Sequence, residues 1–233
     1  MGFGIFFWKL FKHNRYFCPT KKQQMSLRNA YFLIFIILLV DQVSKIYIKT
    51  NFILREDVEV FSWFKISFIE NEGMAWGTVI PDWLGGKLTL TIFRIFAVGG
   101  IAWWLWDAAR KHSSVYLVVA IALIFAGAAG NIIDSIFYGA VFNSSEGQLA
   151  TLFSDQPYGS LFHGKVVDML YFPIIEDATM PSWVPIWGGQ NFTFFNAIFN
   201  VADVAISTGV GILIVFNKKA FPKHHDDSVQ VDA

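Results

Sequence analysis

Four stretches of this chain are each apolar enough to cross a bilayer, a task that takes about 20 mostly apolar residues. They lie at roughly 30–48, 88–106, 115–133 and 195–216. In hydrocarbon the backbone must satisfy its own N–H and C=O groups, so runs of this length read as helices. Composition agrees: 55% of the 233 residues are hydrophobic, 15% are charged, and the mean hydropathy is +0.46. Soluble domains carry about 25% charged residues. The expected fold is a mostly α membrane protein with four transmembrane helices and a small β-containing extracytoplasmic cap. One membrane domain would cover 30–217, with outer loops at about 49–87 and 134–194, and tails at 1–29 and 218–233.

The net charge is zero, yet its distribution gives an orientation. Six Lys or Arg precede Ala30, Arg110 and Lys111 lie in the 107–114 loop, and Lys218, Lys219 and Lys223 lie in the last tail. Those 11 of the 18 basic residues share one side if four spans separate them, and the positive-inside rule makes that side cytoplasmic. The 134–194 segment holds six acids against one base, Lys165, which suits the outer side. Both termini are therefore expected in the cytoplasm. The single cysteine, Cys18, excludes an internal disulfide framework. The tail before it is interrupted by Lys9, Lys12, His13 and Arg15, and reads as a basic aromatic segment on the membrane surface rather than a signal peptide. Met25 is an alternative start, because the residues after it already supply a basic flank and the first span.

Against this apolar background the polar residues stand out. Asp203 lies in the fourth run, where a carboxylate costs roughly 2.5–3.5 kcal/mol on insertion scales. A chain keeps such a group when it does chemistry, moves an ion or is paired. Asn196, Asn200, Asp203 and Ser207 fall on one helical face, and Asp203 would sit about 12 Å below Phe195 at 1.5 Å per residue. Asp41 and Lys45 are i,i+4 neighbours in the outer half of the first span, able to pair. Asn131 and Asp134 end the third. All these groups converge on the outer surface, so one site is the simplest account. Gly127 to Gly130 supply the small residues that let membrane helices approach closely.

The outer loops carry β character. In 63–69 Phe64, Ile66 and Phe68 alternate with Lys65 and Ser67, as in a strand. Gly73 and Gly77 come next, suited to a turn or a close backbone approach. The 142–194 segment is rich in Gly, Ser, Pro and aromatics, and Trp83, Trp183 and Trp187 fit an interfacial belt.

Five segments in this order, DQVSK (41–45), NEGMAWG (71–77), GNIID (130–134), GKVVD (164–168) and FNVAD (199–203), resemble lipoprotein signal peptidase, the signal peptidase II family. The resemblance spans about 30–217. It implies an aspartic endopeptidase of the bacterial inner membrane, active near its outer face. Such an enzyme removes signal peptides from diacylglyceryl-modified prolipoproteins by cutting just before the lipid-modified cysteine. Asp168 and Asp203 would be the catalytic pair, because two neighbouring carboxylates share one proton and can serve as base and acid in turn. By the same resemblance Asn71, Gly73, Asn131 and Asn200 would bind substrate or orient the acids, while Asp41, Lys45 and Asp134 would brace the helices. The substrate and membrane lipids are the implied partners, with no nucleic acid, no cofactor and no metal, inhibition by globomycin-type cyclic peptides, and a monomeric state. The five histidines form no cluster along the sequence.

Two departures from the family pattern bear on these assignments. Ser135 stands where the family has an arginine after the GNxxD motif, with Lys165 and Arg94 as candidate replacements. A gapless match would also put Asn143 at the first catalytic position, and an amide cannot share a proton between carboxylates. An insertion at about 140–164 is expected instead, which selects Asp168. The competing classes are an ion-coupled transporter and a non-catalytic assembly subunit. A transporter would show a repeat or polar groups strung along a path; neither class accounts for the five motifs.

Overall fold

A computed structural model describes residues 24–72, 83 and 86–222. Four main helices carry the structure: α1 (Leu27–Asn51), α2 (Gly86–Arg110), α3 (Val115–Ile133) and α4 (Val201–Val215), followed by a short α5 (Asn217–Ala220). Through a π-helical turn at Asp134–Tyr138 and a last turn at Gly139–Val141, α3 continues as one 27-residue rod, Val115–Val141. The long helices α1, α2 and this rod are long and apolar enough to cross a membrane; α4 is a shorter apolar helix.

The helices are inside out relative to those of a soluble protein. Between Ala30 and Thr50 of α1 the exposed positions are apolar (among them Phe32, Phe35, Leu39, Val43 and Tyr47), whereas Asp41, Lys45 and Lys49 are fully buried. That inversion is what a lipid solvent selects, since tails accept apolar side chains and ions must find partners inside the protein. At the centre lies α3, packed by α1, α2 and α4. Its Gly127 admits the carbonyl of Ala202, which a Cβ there would overlap, and its Gly130 admits the Asp41 carboxylate, 2.6 Å from such a Cβ. The expectation of close approach at these glycines is met. Gly209 of α4 plays the same part against the Ala120 carbonyl, at 2.6 Å.

Outside the helices, a four-stranded antiparallel sheet runs in the order β1 (Asp57–Phe61), β2 (Phe64–Asn71), β3 (Val166–Tyr171), β6 (Ile198–Phe199). The strand expected over 63–69 is β2. A separate hairpin pairs β4 (Ile175–Thr179) with β5 (Asn191–Phe194). Along β3 the two-residue period divides labour: Val167 and Met169 pack with Phe68, Tyr138 and Phe142, while Val166 and Asp168 face a cavity. The pairing Leu170↔Phe199 sets β3 beside the strand that leads directly into α4.

Two expectations change. The fourth run is not helical from Phe195: its first part contains β6, Asn200 caps the helix, and α4 begins at Val201. Asp203 therefore sits in the first helical turn rather than about 12 Å down a helix. Asn196 lies outside the helix, and Ser207 is exposed, so the inward polar stripe shrinks to Asn200 and Asp203. The third run also does not stop at residue 133. The π turn leaves the carbonyls of Ser135 and Ile136 free to accept from Gly164 N and Phe162 N, both at 2.9 Å, which ties the following loop to the rod. The N-terminal tail through residue 23, Gly73 and Gly77, and the chain after residue 222 lie outside the described residues.

Candidate active site

Asn200 organises the site. As N-cap of α4 its Oδ1 accepts from Asp203 N at 3.0 Å, and Asp203 Oδ2 accepts from Asn200 N at 3.3 Å, a reciprocal capping box. Its amide nitrogen donates to Asp168 Oδ1 at 2.7 Å, with Asn131 Oδ1 and the Val167 carbonyl at 3.1 and 3.2 Å. Both acids are thus held by one fully buried side chain. Asn131 makes a second bridge, donating from Nδ2 to Asp203 Oδ1 at 2.9 Å. Its Oδ1 accepts from Lys45 Nζ at 2.8 Å, which fixes the amide so that its donors face Asp203. On the far side of Asp168, Asn71 donates to Oδ2 at 3.3 Å.

Beneath these residues lies a buried ion network. Lys45 Nζ is 2.7 Å from Asp134 and 3.0 Å from Asp41. Asp134 also accepts from Gln42 Nε2 at 2.9 Å and from Val167 N at 3.4 Å, linking α3 to the strand that bears Asp168. Asp41 accepts from Ala202 N at 2.9 Å, satisfying a free donor at the start of α4. The acids and lysine named from sequence therefore lie behind Asp168 and Asp203: Lys45 reaches Asp203 through Asn131, and Asp134 reaches the strand of Asp168 through Val167 N. Gly164 of GKVVD has a packing reason: a Cβ there would overlap the Asp134 carbonyl.

A cavity of about 510 Å³ opens onto Asp168 and Asp203, lined also by Asn71, Arg94, Asn131 and Ile206. Burial, and then the negative charge of Asp203, push the Asp168 carboxyl up to about 7; the Asn71 donor, the Lys45 charge and the Asn200 donor pull the other way. A group poised near neutrality beside a second carboxylate can hold or release a proton at working pH. Asn143 is elsewhere: its Oδ1 accepts from Thr151 N, and it lines a different surface depression. Of the two cations considered as replacements for the missing arginine, Arg94 lines the cavity with the acids; Lys165 instead approaches Glu70 and Glu72 at 3.8 and 3.9 Å.

Some of this was not singled out in the sequence. Gln42 touches Asp41, Asp134, the Gly130 carbonyl and the Tyr138 hydroxyl, although only its place inside DQVSK marks it. A second buried pair, Lys49 with Glu70, is joined by Ser145, whose hydroxyl accepts from Lys49 Nζ at 2.9 Å. Lys49 lies one turn beyond Lys45 on the face that begins at Asp41, which was the available signal. Through Ser145, Phe142 and Ala150, the 142–165 segment packs into the protein as part of its core.

Comparison with known proteins shows the family to which the chain belongs. The family model described as signal peptidase (SPase) II matches residues 33–218. A lipoprotein signal peptidase of Porphyromonas gingivalis is 50% identical over 186 residues, covering 78% of this chain and 80% of that protein. One from Amoebophilus asiaticus is 38% identical over 188 residues, covering 78% and 73%. A structure described as a bacterial membrane enzyme, solved by the in meso method at 2.3 Å resolution, shares the fold: its TM-score is 0.57 at 23% identity, over 88% of this chain and 98% of that one. With a match this extensive, the chain is a multi-pass membrane protein that belongs to the signal peptidase II family.

Proposed function

We propose that this protein removes signal peptides from diacylglyceryl-modified prolipoproteins, cutting just before the lipid-modified cysteine by means of an Asp168–Asp203 pair. The observation that carries this reading is the convergence of both acids on one cavity, held by Asn200 and Asn131. Asp203, at the positive end of α4 with two donors on its carboxylate, serves as the ionised member and takes a proton from water. Asp168, pushed up to about 7, carries the shared proton and donates it to the oxygen of the scissile carbonyl as the water oxygen attacks. Collapse of the tetrahedral intermediate then requires a proton on the leaving amine, supplied by the pair. Asn71 and the free face of Asn131 position the peptide backbone.

In this reading the chain crosses the bacterial inner membrane four times. At 15 residues α4 spans about 22 Å, and the extended residues before it lengthen the crossing. Both termini lie in the cytoplasm, and the sheet with the acid pair lies at the outer face. The enzyme acts as a monomer and is inhibited by globomycin-type cyclic peptides occupying the same cavity.

The test is cleavage of a diacylglyceryl-modified prolipoprotein by wild type, Asp168→Asn and Asp203→Asn. Both variants should stay folded while the lipid-modified precursor accumulates. Normal cleavage by either variant removes the pair from the mechanism, and no cleavage by wild type removes the activity.

A further inference from the structure

Arg94 has no role in the chemistry above, yet its place is unusual. It lies on α2 eight residues past Gly86, about 12 Å along the helix, half-buried and with no other charged residue of that helix between Lys87 and Asp107. A guanidinium at such a position is costly without partners. Among the described residues it has neither a hydrogen bond nor an ion pair within 4.0 Å. Asp203 attracts it, but that carboxylate already accepts from Asn131 Nδ2 and Asn200 N. The five donors of Arg94 therefore open onto the cavity that it lines.

The shape of that cavity defines what can meet them. Arg94, Asn131, Asp168 and Asp203 form its polar end. Going further along α2, back along α3 and further along α4, the lining becomes Ala97, Val98, Ile101, Ala128 and Ile206. Both α2 and α4 pack on α3 rather than on each other, which leaves this apolar slot between them. Arg94 stands at the junction of slot and catalytic pair. An anionic ligand would be repelled by Asp203, so the acceptor that suits these donors is a neutral carbonyl oxygen.

We propose that Arg94 is a substrate-binding residue that donates to carbonyl oxygens of the lipid-modified substrate at the point where its apolar part enters the slot. The inference rests on the peptidase reading above. Neutral carbonyls of this kind occur in the acyl esters of the diacylglyceryl group and in the peptide backbone, and the two are separable. The experiment measures steady-state cleavage by wild type, Arg94→Gln and Arg94→Lys, using an ester-linked diacylglyceryl substrate and its ether-linked dialkyl analogue, together with thermal unfolding of each variant.

Arg94→Gln should raise KM at least about tenfold with kcat little changed and unfolding temperature preserved, and Arg94→Lys should recover part of the loss. If the ether analogue costs wild type the same rise in KM and Arg94→Gln no further, the acceptors are the acyl esters. If wild type cleaves both substrates alike and Arg94→Gln is impaired on both, they are peptide carbonyls. An unchanged KM overturns the proposal. So does a fall in kcat with a displaced pH profile, because Arg94 would then act through Asp203. A fall in unfolding temperature that accounts for the loss assigns Arg94 to structure and likewise overturns it. Failure of the peptidase reading looks different: wild type would cleave neither substrate.

Discussion

Asn200 donates to Asp168 at 2.7 Å while capping the helix whose first turn carries Asp203. One side chain therefore sets the relative position of two acids that come from a strand and from a helix. Asn200→Ala removes the cap and leaves Asp168 without its shortest donor. The expected outcome is a loss of about 1 kcal/mol or more in stability from the cap, and a fall in kcat far larger than that loss of stability explains. Unfolding in detergent and initial cleavage rates measure the two parts; a rate loss no larger than the folding loss would show that Asn200 does not orient the pair.

The raised value of Asp168 makes stability depend on pH. Its carboxyl is about 7 in the folded state against 3.8 in the reference state, so the folded protein binds the proton more tightly. The associated stabilisation is complete below about 4 and is lost as pH rises through about 7. Asp168→Asn, which cannot ionise, should match wild type at about pH 4 and exceed it at about pH 8, by on the order of a few kcal/mol. Equal unfolding profiles for the two proteins across that range would contradict the assignment. Cleavage by wild type should fall on the basic side near about pH 7, as the pair loses its shared proton.

Lys45 answers two buried carboxylates, at 2.7 and 3.0 Å. Lys45→Met leaves both uncompensated and should cost about 3–5 kcal/mol. Adding Asp134→Asn should recover part of that loss, since one stranded charge goes with it, while activity stays low because Asn131 no longer has Lys45 to fix its amide. A single substitution as mild as a surface change would show that the network is not closed to water.

Gly127 and Gly99 are both helical glycines in different surroundings. A Cβ at Gly127 would overlap the Ala202 carbonyl, whereas nothing lies within 4 Å of one at Gly99. Gly127→Ala should push the start of α4 away from α3 and impair folding and cleavage together, by about 1–3 kcal/mol in stability. Gly99→Ala should be neutral or stabilising by about 0.5–1 kcal/mol. Equal effects would remove the close contact from the account.

The choice of Asp168 over Asn143 can be checked directly. Asn143 bonds Thr151 N and faces a separate depression. Asn143→Ala should therefore cleave at close to the wild-type rate, and Asn143→Asp should not restore activity to Asp168→Asn. Restoration would place the catalytic position at 143.

Much of this architecture is legible in the chain alone. Apolar length marks the helices, and the alternation in 63–69 marks β2, because burial against lipid or core imposes a period on the side chains themselves. The polar residues inside apolar runs are legible for the same reason: Asp41, Lys45, Asn131, Asp134, Asn200 and Asp203 are conspicuous where most neighbours are aliphatic, and all six meet in one network. The start of α4 is not legible, because Phe195 to Phe199 is as apolar as the helix beyond it. Hydropathy records the solvent around a segment, whereas its conformation here is set by pairing with β3 and by the Asn200 cap. Gln42 and the Lys49–Glu70 pair stay hidden because their partners lie far away in the chain.

The sequence by itself determined that this chain sits in a membrane, which polar groups it keeps there, and which family its motifs resemble, since each of those depends on local composition and spacing. Only the tertiary structure decided how the acids meet. Asp168 stands outside the apolar spans, where only the GKVVD motif marks it, and it reaches Asp203 because Leu170 pairs with Phe199 and Asn200 ties strand to helix. Long-range pairing of backbone groups leaves little trace in local composition, so the second carboxylate becomes a partner only when the sheet forms.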